Sequence, residues 1–282
     1  MKILFKAHYF NIVIASTVLM FCSLTTNGQN FAKEFVNKQN DSISQDVVYL
    51  YINPTISYRN ESIEKMPNFD SLDEDIQNEL FKKYAPLQDS INDSILFTKY
   101  RQQLINTFYA LGIKVIYTNP ENFPSKIDQT HHTLNVAQLE IEEFTTPDSL
   151  VYEENSSIVF QKQLNGVRFS TWLIYDESDT NSRLVFYNDQ EATDFFDGEI
   201  IKQNQDYTAS YDYKKVTTND AYQTAGEAGV TSAKYFFNFL LNKYVWIQSS
   251  GNVNYYYGID PQTRTLSSDI EPFDNFDLID YK

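Results

Sequence analysis

The sequence predicts an α+β fold: a mixed, mostly antiparallel sheet with helices packed on one face, starting with a β-α-β unit. Three observations carry that expectation. Val47-Val48-Tyr49-Leu50-Tyr51-Ile52 is a short β-branched and aromatic run stopped by Asn53-Pro54, which reads as a strand with a defined end. A helical stripe follows and passes at once into Ile113-Lys114-Val115-Ile116-Tyr117, so parallel pairing of the two strands is natural. After residue 130 apolar residues alternate at strand period, until a long helix over residues 220–247 closes the pattern.

Taken in order, residues 53–70 are polar and punctuated, and read as a surface loop. Asp70-Ser71-Leu72-Asp73-Glu74 offers a Ser-x-x-Glu capping box for a helix through Tyr84, ended by Pro86. Asp93 or Ser94 is the expected cap of the next helix, in which Phe97, Leu104, Phe108 and Leu111 share a stripe. Gly112 follows its last apolar residue, where a left-handed position favours glycine. Residues 133–144 form a long strand whose alternation slips: Leu134 and Val136 share one face, then Ala137, Leu139 and Ile141 the other. A bulge near Val136 accounts for the slip. Residues 157–163 read as the next strand, with Asn165-Gly166 as a hairpin turn. The return over 167–175 places Val167, Phe169, Leu173 and Tyr175 on one side, and 183–187 makes a fourth strand. Residues 203–219 are polar and Tyr-rich, a loop or hairpin. In the long helix Ala225, Gly229, Ala233, Phe236, Leu240 and Tyr244 line one face, and its small residues suit close approach to the sheet. Residues 252–259 read as a last strand.

The expected organisation is a signal peptide over residues 1–28, an N-terminal extension over 29–46, one α+β domain over 47–260 and a tail over 261–282. Lys2 and Lys6 precede an uncharged run from Phe10 to Cys22, too short for the roughly 20 apolar residues of a membrane span. Thr26 and Gly28 suit a cut that leaves Gln29 as the mature start. Cys22 offers the other start, lipidation, with Leu19 well placed for it and the bulky Phe21 against it. It is the only cysteine, so no disulfide framework exists and the core alone must hold the fold.

Removing residues 1–28 takes away two lysines and no acid, leaving 20 bases against 38 acids, a net charge of −18. Nucleic acid and anionic membranes reward clustered Lys and Arg, so that balance excludes nucleic acid as a partner and leaves the membrane only a lipid anchor. The chain carries 21 Phe, 21 Tyr and 2 Trp. Such rings stack on sugars or anchor protein contacts when exposed, and fill cores when buried.

Catalytic and metal signals are sparse. The only histidines are His8 and the pair His131-His132, whose neighbours on a strand point to opposite faces and read as exposed strand-start residues. The acids from Asp189 to Glu199 lack the ordered spacing of a calcium loop and read as solvated. No nucleophile elbow and no phosphate loop is present, and no cofactor motif either. Glu140, Glu142 and Glu143 are the carboxylates a glycosidase would use, with Glu140 and Glu142 on one strand face.

One triplet recurs. Asp-Ser-Ile or Asp-Ser-Leu occurs at Ser42, Ser71, Ser90, Ser94 and Ser149. It resembles the Asp-Ser/Thr-aliphatic acceptor of periplasmic O-glycosylation in Bacteroidota, and helix capping is the competing explanation, with Ser71 and Ser94 suited to it. The element order, with residues 135–144, 167–175 and Tyr235-Phe236-Phe237-Asn238-Phe239-Leu240-Leu241, resembles a group of secreted or lipid-anchored envelope proteins of Bacteroidota. More distantly it is similar to auxiliary envelope lipoproteins that assist transport or assembly. The expected function is therefore a non-enzymatic exported envelope protein, periplasmic or outer-membrane-associated, acting through contacts with an envelope protein partner. The alternative is a secreted glycan-binding or glycan-processing protein using exposed Tyr and Trp with paired carboxylates.

Overall fold

A computed structural model of the chain describes residues 28–124, 129–176, 183–204, 206–251, 253 and 255–269. Cys22 and the expected signal peptide, apart from Gly28, lie outside the described residues.

A six-stranded mixed sheet forms the centre. Its strands are β1 (Val47–Ile52), β2 (Ile56–Asn60), β3 (Lys114–Tyr117), β4 (His131–Val151), β5 (Val159–Asp176) and β6 (Arg183–Thr193). The spatial order is β3-β1-β4-β5-β6, and β2 pairs β4 beyond the end of β1. The pairs β1–β3, β1–β4 and β2–β4 run parallel, while β4–β5 and β5–β6 run antiparallel. This is the expected α+β architecture with its β-α-β start. The register shifts between Val136 and Gln138, so the slip seen in the alternation is a bulge at Ala137.

The helices are α1 over residues 28–38, α2 (Glu61–Glu64), α3 (Glu74–Tyr84), α4 (Asp93–Ala110) and α5 (Thr218–Gln248). Thr217 and Asp220 form a reciprocal capping box that starts α5. Gly112 ends α4 at φ +85°, and an added Cβ there would strike the Gln39 carbonyl. Helices α4 and α5 cover one sheet face. Leu96, Tyr100, Leu104 and Phe108 of α4 and Phe236, Phe237 and Leu241 of α5 bury against Leu139, Ile141, Phe169 and Leu173. Leu96 and Tyr100, rather than Phe97, lead the buried stripe of α4. Gly229 lets the two helices close up, because an added Cβ would collide with the Tyr100 carbonyl. The small residues thus serve a helix–helix contact as well as the approach to the sheet. Helix α1 joins the same core: Ala32 and Phe35 are buried, and Phe35 packs 5.5 Å from Phe237.

Several local expectations are corrected. Residues 53–70 hold β2, α2 and a 3-10 turn; short β2 is held by its ladder to β4, which its own composition does not signal. Helix α3 is capped by Asp73, which accepts from the Asp75 amide, and α4 by Asn92, which accepts from the Ile95 amide. Asn165-Gly166 is no turn: both residues lie inside continuous β5, Gly166 opposite Phe144, whose ring fills the place a Cβ would take. The hairpin turn falls instead at 152–158, so β4 and β5 run on together well past the helices. After Asp194 the chain leaves the sheet as β7 (Phe195–Gln203) and returns as β8 (Asp206–Lys214). A final pair, β9 (Tyr256–Ile259) and β10 (Leu266–Asp269), packs under α5, where Asn238 and Asn242 accept from the Ile259 and Tyr257 amides.

Candidate functional site

Two surfaces stand apart from the helix-covered core. The first is an arm built from the outer ends of β4 and β5 and from the β7–β8 hairpin. The two hairpins part at Asp194, whose carboxylate accepts from the amide and side chain of Asn165, the Val216 amide and the Tyr213 hydroxyl at 2.7–2.9 Å. Burial pushes the Asp194 carboxyl up, but those four donors together hold it below the usual carboxylate range. Between the hairpins Phe160 packs 6.2 Å from Phe196 and 5.4 Å from Tyr211, and Tyr152 meets Tyr207 at 5.2 Å. The Lys162 ammonium sits 4.0 Å from the Tyr213 ring. Large apolar groups remain in solvent: Phe195 is 54% exposed, Val151 49% and Tyr211 41%. The acids expected as a solvated loop from Asp189 to Glu199 lie on β6 and β7, with Asp194 buried as the brace. Among the described residues no group of three or more His, Cys, Asp or Glu is placed to hold a metal ion.

The second surface is the sheet face turned away from the helices. Cross-strand register arranges it in rows. Gln138, Trp172 and Tyr187 form one row, Glu140, Ser170 and Asp189 the next, and Glu142, Arg168 and Glu191 the third. Trp172 and Tyr187 pack at 4.9 Å. Arg168 pairs with Glu142 at 3.0 Å and Glu191 at 3.1 Å, while Arg59 pairs with Glu64 and reaches Glu140 at 3.5 Å. The structure thus places Glu140 and Glu142 on one face, as expected, and engages each with a guanidinium. Glu143 points the other way, and its two oxygens accept the Leu87 and Gln88 amides at the start of a 3-10 turn. Burial pushes its carboxyl above the usual range despite those amides. The trio therefore serves packing and ion pairing, and does not converge on one point.

The histidine reading needs correction. His131 and His132 do face opposite ways, but His132 is buried, against Phe236 and Tyr175. Its Nε2 lies 3.9 Å from Asp46, which is itself held by Lys38 at 2.9 Å and Gln39 at 2.9 Å. These residues tie α1 to the sheet, a role invisible without the fold. A buried polar cluster was likewise illegible: Asn188 donates to Thr171 at 2.9 Å and Ser232 at 2.6 Å, and Tyr100 donates to Ser232. Burial pushes the Tyr100 hydroxyl up to about 12, so it stays a donor.

Ser42, Ser71, Ser90, Ser94 and Ser149 are all exposed. Neither Ser71 nor Ser94 caps a helix, since Asp73 and Asn92 hold those positions. Among the described residues no helix is long and apolar enough to cross a membrane.

No protein-family model matches the chain, and no curated protein matches it. Among solved structures, a neuraminyllactose-binding hemagglutinin homolog from Helicobacter pylori is similar at 13% identity, over 75% of this chain and 93% of that one, with a TM-score of 0.33. That overlap is too low to transfer a fold or a ligand.

Proposed function

We propose that the protein is an exported envelope protein that works by contact, seating its two-hairpin arm against a basic, partly apolar surface of a protein partner. The observation that carries this reading is the arm's surface. Phe195, Val151, Val159, Tyr207 and Tyr211 stay exposed on strands that lie beyond the helix-covered core. Residues 145–164 and 195–214 carry seven acids and three lysines, so charge complementarity asks for a cationic partner. Exposed rings framed by charge match the anchor-and-rim pattern of protein interfaces. Both long edges of the β7–β8 pair are also free for strand addition within the described sheets.

The test compares native-envelope capture by the wild type and by a Phe195→Ser/Tyr211→Ser variant. A partner lost with the variant, and released as salt rises, supports the reading. Equal recovery by both proteins overturns it. Intact mass of the envelope-purified chain tests export and modification together. A start at Gln29 means a released protein, a lipidated start at Cys22 a tethered one, and added hexose mass that disappears when the five exposed Asp-Ser-aliphatic serines are replaced by alanine means glycans on those serines.

A further inference from the structure

We infer that the open sheet face is a binding site for an uncharged glycan, with the Trp172 indole as its stacking surface and Tyr187 as its flank. This goes beyond the arm contact and rests on different residues. Trp172 is partly exposed at the centre of the face, 4.9 Å from the Tyr187 ring and tilted 53° to it, so one indole plane is offered with Tyr187 against its side. A pyranose presents an apolar C–H face ringed by hydroxyls, and needs an aromatic plane with fixed donors and acceptors beside it.

That polar frame is already organised. Gln138, exposed in the Trp172 row, donates to Glu140 at 3.2 Å. Tyr187 donates to Asp189 at 3.0 Å and lies 3.3 Å from the Ser170 hydroxyl. In the next row, about 7 Å away at strand spacing, Asp189 is exposed and within reach of the hydroxyls of a stacked sugar, while Glu140 is buried and fixes Gln138 from beneath. They are held by neighbouring side chains, so little order is lost on binding.

Charge selects the ligand. Five carboxylates (Glu64, Glu140, Glu142, Asp189, Glu191) face two guanidiniums (Arg59, Arg168), and both guanidiniums are paired. An acidic glycan meets repulsion with no free cation to offset it, whereas a neutral one meets acceptors for its hydroxyls.

The chain has two tryptophans, and the second, Trp246, sits 60% exposed near the end of α5. Trp246→Phe therefore leaves Trp172 as a single reporter. Its emission is titrated with a panel of neutral hexose and N-acetylhexosamine oligomers and with sialyllactose. The expected result is a saturable change with a neutral oligomer and a response to sialyllactose at least about tenfold weaker. Gln138→Ala, on an exposed side chain, should weaken neutral binding about tenfold without changing the fold. Flat emission across the neutral panel, or equal affinity for sialyllactose, overturns the inference. Arm variants should leave the titration unmoved, so this site and the arm contact fail separately.

Discussion

The core beneath α4 and α5 and the arm beyond Asp194 are both rich in rings, but the rings do different work. Phe236 is surrounded, with Phe108, His132, Tyr175 and Phe186 all within 5.4–6.1 Å and itself 1% exposed. Phe160 in the arm has Phe196 and Tyr211 on one side and is only partly buried. A ring enclosed on every side contributes through transfer and packing together; a ring in a two-layer arm contributes mainly through its cross-strand partners. The core therefore fixes the fold, and the arm is left able to trade its remaining surface with another molecule.

Breaking this contrast should cost most at Phe236. Phe236→Ala is expected to lower stability by about 3–5 kcal/mol in denaturant melts, because the cavity cannot collapse among five packed elements. Gly229→Val comes next, at about 2–3 kcal/mol, since its side chain must push α5 away from the Tyr100 backbone. A Gly229→Val protein as stable as the wild type would mean that the helix pair is not closely packed.

Asp194 sharpens the comparison, because it braces the arm to the body. Asp194→Asn should cost about 2 kcal/mol at neutral pH, because the amide keeps one acceptor oxygen and turns an NH2 donor toward groups that themselves donate. Its carboxyl is held below the usual range in the folded state. The stabilisation is therefore present above the unfolded value of about 3.9, and is lost as pH falls through the folded value. Melts at pH 7 and pH 3 should show the gap between wild type and variant shrinking in acid; an unchanged gap would reject the carboxylate's role. The smallest effect belongs to Phe160→Ala, about 1 kcal/mol. Hydrogen exchange should then quicken in residues 195–214 while α5 stays protected, and uniform quickening would show that arm and core unfold as one unit.

Legibility in the sequence followed the same divide. Strand β1, the helical stripe of α4, the glycine at its end, the bulge near Val136 and the long helix α5 could all be read from spacing, because each is governed by neighbours a few residues away. The turn at Asn165-Gly166 failed for a physical reason. The dipeptide permits a tight turn, but pairing across to Phe144 and Asn165's hold on Asp194 keep the strand straight. The caps failed more narrowly: Asp70, Ser71, Asp93 and Ser94 are all capable, but Asp70 and Ser71 are taken into a 3-10 turn, and Asp93 and Ser94 already lie inside α4 behind Asn92. At the candidate sites, Trp172 and the shared face of Glu140 and Glu142 were legible, while the rows they form with β6 and the buried His132 were not.

By itself the sequence determined the class of fold, the acidic surface, the absence of a disulfide framework and the faces of its most regular elements. These depend on composition and on periods of two and 3.6 residues, which are local quantities. Only the tertiary structure decided that β4 and β5 outrun the helices, that Asp194 splits two hairpins, and that one sheet face stays open with Trp172 at its centre. Those features arise from pairing between residues up to 83 positions apart, where register rather than propensity chooses the partner.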